Sequence, residues 1–240
     1  MKRVAAVTGA AGGLGSAITR KLRADGLHVI GLDIDWPALE AMPQAGFSAL
    51  PCDLTDPDAV SEAFSTIGKD HGGLDVLVNN AGTCFMSDFP DIPAAEFARQ
   101  MDINFSSAFY CCQEAVKLMT GRDGVRKIVN VSSNGAYNFD VFDPPHYRAS
   151  KAALDTLTKD LARRYAADKI AVNSIAPAMT DTPLFGVLTE EVLARAIAQM
   201  PHGRAMQPDE VAAWVGFLVS TAGDISSGNV IILNQGRDVR

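Results

Sequence analysis

The chain has 240 residues, 48% of them hydrophobic and 20% charged, enough to close one substantial core, so a single domain over 1–240 is expected. A formal net charge of −7 with no run of Lys and Arg excludes a nucleic-acid partner, because nothing is present to neutralise a row of phosphates. No long apolar span and no export-type cleavage pattern is visible, which points to a cytoplasmic protein with no membrane partner.

In chain order, short apolar or β-branched runs at 3–8, 28–33, 48–51, 74–79, 127–132, 171–175 and 229–233 read as strands. Between them, helical periodicity at 14–24, 56–69, 94–119, 147–166 and 208–220 completes a strand–helix alternation. The alternation predicts the α/β class, a doubly wound parallel sheet of about seven strands with helices on both faces. Ligands of such a sheet sit beyond the carboxyl ends of its strands, so the segments after each strand are where chemistry is expected.

The first of these segments is Thr8-Gly9-Ala10-Ala11-Gly12-Gly13-Leu14-Gly15, between a strand and a helix. Glycine permits unusual turns and lets a pyrophosphate approach backbone N–H groups at the helix start, where the dipole favours an anion. A dinucleotide is the expected ligand. Asp33 ends the second strand about 20 residues further on, where a carboxylate accepts hydrogen bonds from ribose hydroxyls and repels a 2′-phosphate. No Arg or Lys lies in 10–14 or directly after Asp33, so the expected cofactor is NAD.

Tyr147 and Lys151 lie four apart at the start of a predicted helix and project from one face. A phenol titrates near pH ~10, and an adjacent ammonium and an oxidised nicotinamide both favour its phenolate, which makes Tyr147 an acid/base competent nearer working pH. A second Tyr-x-x-x-Lys, Tyr165 and Lys169, comes late in the same helical region and reads as a structural helix end. Ser132 and Ser133 close the fifth strand, and a hydroxyl there can hydrogen-bond a substrate oxygen; Ser133 is the first choice, and Ser132 stays open. Neither sits in a G-x-S-x-G elbow. Asn104 falls in a long apolar helix, where a buried amide needs partners. Cys52, Cys84, Cys111 and Cys112 show no pairing pattern, and the four histidines lack metal-ligand spacing, so neither disulfides nor a metal are expected.

Taken in order, these motifs resemble the short-chain dehydrogenase/reductase family, of the short single-domain Rossmann type, over nearly the whole chain. Thr8-Gly9-x-x-x-Gly13-x-Gly15 is similar to the family's phosphate-binding loop, which implies cofactor contacts at Gly9, Gly12, Gly13, Leu14 and Gly15. Asp53 in Cys52-Asp53-Leu54 resembles its adenine contact, and Asn79-Asn80-Ala81-Gly82 its fourth-strand signature, adding Asp53, Leu54, Asn80, Ala81 and Gly82. Asn104, Ser133, Tyr147 and Lys151 fall where the family keeps its catalytic tetrad. The resemblance implies that Lys151 also holds the nicotinamide ribose, and that the helix opens at Asn104 to keep a water near Lys151. Pro177 through Thr182 resembles the segment closing over the nicotinamide, which makes Pro177, Thr180 and Thr182 contacts. Ala178 stands where the family usually has glycine. Asn234-Gln235-Gly236 replaces the usual Asp-Gly-Gly, a change expected to act on subunit packing and the pocket floor.

The resemblance therefore implies hydride transfer between NAD(H) and a secondary alcohol or ketone, with Tyr147 as acid/base, in a homotetramer paired through 94–119 and 147–166. The loop 134–146, with Tyr137, Phe139, Val141 and Phe142, and a lid over 183–203, with Leu184, Phe185 and Leu188, read as largely apolar walls. A neutral alcohol or ketone is the expected substrate, and Asp140 and Asp143 would repel an anion if they face it. Two other readings stay open, a 3-oxoacyl thioester reductase and a non-catalytic NAD-binding regulator.

Overall fold

The computed structural model describes residues 2–138 and 143–238; Phe139, Asp140, Val141 and Phe142 lie outside the described residues. Seven strands, β1 (Val4–Thr8), β2 (His28–Asp33), β3 (Phe47–Pro51), β4 (Val76–Asn79), β5 (Arg126–Val131), β6 (Ile170–Pro177) and β7 (Val230–Leu233), form one sheet. Its order is β3-β2-β1-β4-β5-β6-β7, and every neighbouring pair is parallel. Successive side chains leave opposite faces: Ala6, Ile30, Leu77, Ile128 and Val172 enter one core, while Ala5, Val29, Val76, Val129 and Ile175 enter the other. Helices cover both faces, so β1 and β5 are buried at every position, the condition under which parallel strands occur.

The helices are α1 (Gly13–Ala24), α2 (Trp36–Glu40), α3 (Pro57–His71), α4 (Ala94–Met101), α5 (Ser107–Met119), α6 (Pro145–Arg164), α7 (Glu190–Ala198) and α8 (Pro208–Val219). Local chemistry sets their ends. Asp56 accepts the Asp58 N–H to cap α3, Pro57 opens that helix, and Gly72 closes it at φ 71°. Gln207 and Glu210 cap α8 reciprocally around Pro208. The predicted helix 94–119 is interrupted, with a π-helical turn over Asp102–Ser106 joining α4 to α5. Periodicity misses α2, which is too short to show it, and α7, which lies inside the segment read as a lid. Among the described residues no helix is long and apolar enough to cross a membrane.

From β1 the chain builds outward through β2 and β3 on one side and through β4 to β7 on the other. The switch point between β1 and β4 leaves a crevice at their carboxyl ends.

Candidate active site

A cavity of about 1150 Å³ opens at this switch point. The loops after β1 and β4 are locked together at its base. Thr8 Oγ1 accepts the N–H groups of Asn80 and Ala81 at 2.9 and 3.0 Å, and the Asn80 amide donates to the carbonyls of Thr8 and Gly9 at 3.0 and 3.1 Å. Asn80 thus spends its side chain on the loop. Gly9 adopts φ 62°, and a Cβ there would stand 2.9 Å from Ala81 Cα; a Cβ on Gly15 would collide with the Gly9 carbonyl. The glycines allow this approach and leave the start of α1 bare, with no side-chain cap and no acid in its first turn. Gly12, Gly13 and Leu14 line the cavity there; Gly12 gives its N–H to the Gly9 carbonyl at 3.3 Å, and the N–H groups of the first helical turn beyond it suit a pyrophosphate.

Asp33, Asp35 and Asp53 line one end. The Asp33 carboxylate accepts the N–H of Ala11 at 3.0 Å and of Asp35 at 3.1 Å, which fixes it beside the glycine loop. Asp53 accepts the Thr55 N–H and hydroxyl at 2.9 and 2.7 Å, and these bonds hold its carboxyl below the ordinary range. Leu54, Ala81 and Gly82 continue the wall.

Ser133, Tyr147 and Lys151 line the other end. Lys151 is buried; its Nζ donates to the Val131 carbonyl at 2.9 Å and lies 6.0 Å from the Tyr147 ring centre. Burial brings its pKa down to about 8. Burial pushes the Tyr147 phenol up, the charge of Asp143 acts the same way, and the hydrogen bond with Ser133 opposes both. In the protein alone the phenol is therefore raised, with desolvation the largest cause. Tyr147 holds its proton there and is a donor.

The two serines separate cleanly. Ser132 Oγ donates to Asp155 Oδ2 at 2.9 Å and to the Lys151 carbonyl at 3.2 Å, whereas Ser133 Oγ accepts the Gly135 N–H at 3.0 Å and bonds with Tyr147. The buried Asp155 also accepts from Ser174 at 2.7 Å and Tyr137 at 2.8 Å, so three hydroxyls surround it and oppose the rise in pKa that burial causes. Sequence reasoning missed Asp155. Its position four beyond Lys151 and eight beyond Tyr147, on the same helix face, was the available signal.

Asn104 lies in the π-helical turn and is 1% exposed, behind the cavity wall. Its amide donates to the Thr83 carbonyl at 2.9 Å and Ser150 Oγ at 3.1 Å, and its carbonyl accepts the Thr83 N–H at 2.8 Å. Asn104 and Lys151 flank Gly82, where a Cβ would stand 3.4 Å from Asn104 Oδ1 and 3.3 Å from Lys151 Nζ.

Pro177, Thr180 and Thr182 line the cavity from above. Their segment is stapled by the Met206 N–H to the Met179 carbonyl and the Asp181 N–H to the Met206 carbonyl, both 2.8 Å. It rests on the glycine loop so closely that a Cβ on Gly13 would stand 2.7 Å from Pro183 Cδ. Ala178 donates its N–H to the Leu233 carbonyl at 2.8 Å and packs against the core. Gln235, at φ 59°, accepts the His202 N–H at 2.9 Å and donates to the Arg204 carbonyl at 3.1 Å, so the carboxyl-terminal turn anchors the root of the 183–203 segment. Tyr165 caps the carboxyl end of α6 and Lys169, at φ 57°, lies in the turn before β6; neither lines the cavity. Cys111 and Cys112 are buried thiols; burial pushes Cys111 well up and Cys112 to about 12.

A family model described as Enoyl-(Acyl carrier protein) reductase matches residues 9–238. The cis-4-hydroxycyclohexanecarboxylate dehydrogenase of Sinomonas cyclohexanicum is 36% identical, over 98% of this chain and 96% of its own. The 3alpha-hydroxysteroid dehydrogenase of Mediterraneibacter gnavus is 33% identical, over 95% and 94%. Among solved structures, the short-chain dehydrogenase/reductase of the glucose/ribitol dehydrogenase type from Brucella melitensis superposes with a TM-score of 0.92 at 28% identity, covering 100% of both chains. Likeness of this extent, in sequence and in fold, settles the assignment: the chain belongs to the short-chain dehydrogenase/reductase family and is an oxidoreductase that uses a nicotinamide dinucleotide.

Proposed function

We propose that the protein is an NAD(H)-dependent dehydrogenase/reductase of a neutral secondary alcohol or ketone, with Tyr147 as the acid/base. The observation that carries this reading is the single cavity that joins the bare start of α1 to Ser133, Tyr147 and Lys151. Gly12, Gly13 and Leu14 hold the pyrophosphate, Asp33 the adenosine ribose, Lys151 the nicotinamide ribose, and Pro177, Thr180 and Thr182 the carboxamide side. The bound nicotinamide supplies or accepts the hydride. Ser133 orients the substrate oxygen, and Tyr147 gives its proton to that oxygen in reduction and takes it back in oxidation. Lys151, on the same helix face, stabilises the phenolate, and Asn104 holds the wall after β4 against it.

NAD is preferred to NADP because Asp33, Asp35 and Asp53 share the ribose end, and a 2′-phosphate there meets carboxylates. Residues 183–203 act as a lid on this one domain. Half-exposed aromatics, Phe97 and Phe109 on α4 and α5 and Trp214 and Phe217 on α8, support a homotetramer, and the cytoplasm is the proposed compartment. Fluorescence titration with NADH and NADPH, followed by an absorbance screen of alcohols and ketones, tests the reading. NADH binding with turnover is expected; failure to bind either nucleotide overturns it, and binding without turnover across the screen favours a regulator.

A further inference from the structure

The cavity carries one carboxylate beside Ser133 that neither gives nor takes the transferred proton. Asp143 lines the cavity beside Ser133, directly before the helix that presents Tyr147. Its seat is built. Arg148 Nε donates to the Asp143 carbonyl at 2.7 Å, which fixes the backbone. Gly135 supplies the room: a Cβ there would stand 3.0 Å from the Asp143 carboxyl carbon and 3.2 Å from Ser133 Oγ, and it would collide with a carboxylate oxygen. Gly135 has no positive φ, so its backbone does not call for glycine, and the space is what the missing side chain provides. Asp143 Cγ and Ser133 Oγ thus flank one point and lie within about 6 Å of each other. Tyr147 and Cys84, which line the same cavity, both lie near enough to feel the charge of Asp143.

We propose that Asp143 is a specificity-determining residue that accepts a hydrogen bond from a second hydroxyl of the substrate, next to the reacting carbon, so that the substrates are vicinal diols, polyols and the corresponding hydroxyketones. The distance fits. With the reacting oxygen on Ser133 and Tyr147, a hydroxyl on the adjacent carbon reaches a carboxylate that lies within about 6 Å of the serine. The same carboxylate disfavours a substrate carboxylate at that position. Met179, Leu184, Phe185 and Leu188 supply apolar cover for the remainder of the molecule. The inference rests on Ser133 and Tyr147 holding the reacting oxygen.

The test compares cyclohexanone with 2-hydroxycyclohexanone as substrates, and cyclohexanol with 1,2-cyclohexanediol as ligands of the NADH-loaded protein, in wild type, Asp143→Asn and Asp143→Ala. Wild type is expected to favour the hydroxyketone in kcat/KM by roughly tenfold to a hundredfold, the worth of a hydrogen bond to a charged acceptor. Asp143→Ala should abolish that preference, read as the ratio of kcat/KM for the two ketones so that any change its charge makes at Tyr147 cancels, and Asp143→Asn should retain part of it. A preference absent from wild type, or undiminished in Asp143→Ala, overturns the role of Asp143 while leaving the oxidoreductase reading intact. Turnover of neither ketone with NADH bound counts against the parent reading. The role of Asp143 is then judged on whether the diol, and not cyclohexanol, raises the melting temperature of wild type but not of Asp143→Ala.

Discussion

Ser132 and Asp155 share a hydrogen bond of 2.9 Å that turns the first serine of the pair into the protein body and leaves the second to Tyr147. The two hydroxyls should therefore fail differently. Ser132→Ala removes one of three donors to a buried carboxylate and should cost about 1–3 kcal/mol of stability, with kcat changed severalfold at most. Ser133→Ala should lower kcat on the order of 10²–10³-fold with the melting temperature preserved. Thermal melts and steady-state kinetics on both variants decide the assignment, and the opposite pattern would exchange the roles.

Tyr147→Phe removes the proton and little bulk. Turnover should fall on the order of 10²–10⁴-fold, the usual worth of a positioned acid/base, while NADH affinity stays near wild type. Retained turnover would sink the assignment.

Asp33→Ala should weaken NADH binding roughly tenfold to a hundredfold, the scale of hydrogen bonds to a charged acceptor, and narrow the gap to NADPH. Parallel titrations with the two nucleotides measure this, and an unchanged ratio contradicts the ribose contact.

Lys151 is buried with a pKa brought down to about 8 from 10.5, so its charge opposes folding of the cofactor-free protein. Below pH 8 both folded and unfolded states carry the proton, and the cost is fully present. Between pH 8 and 10.5 the folded state loses it first, the unfolded state binds more protons, and stability rises with pH. Lys151→Met should accordingly be more stable than wild type by up to roughly 3 kcal/mol near pH 7, with the difference closing toward pH 10.5. Denaturant melts at several pH values read it; a gap that widens with pH contradicts the argument.

Strand-by-strand alternation made the sheet legible in the sequence, because buried parallel strands leave apolar runs and their helices a 3.6-residue period. The cradle was legible too, as glycines between a strand and a helix, although only at Gly15 does the loop itself exclude a side chain; at Gly9 and Gly13 the excluding atoms belong to Ala81 and Pro183, far along the chain. Asp155 was not, since an Asp in a helix ordinarily faces water and its partners Ser132, Tyr137 and Ser174 come from three other segments. The raised titration of Tyr147 in the protein alone was not legible for a related reason. Spacing reports that Lys151 is near, but not that the surroundings are dry or that the ammonium points to the Val131 carbonyl.

The π-helical turn at Asp102–Ser106 has a consequence for the shape of the molecule beyond Asn104. Bonding five residues back in place of four inserts one residue into the helix, which rotates everything after it by about 100°. The stretch before it packs on α6 and the stretch after it on α3. One continuous rod thus serves two neighbours with two differently phased stripes. A single-residue deletion between 102 and 106 would straighten the rod, bring both stripes into one phase, and force the chain to give up either the seat of the tyrosine-bearing helix or the core beneath α3.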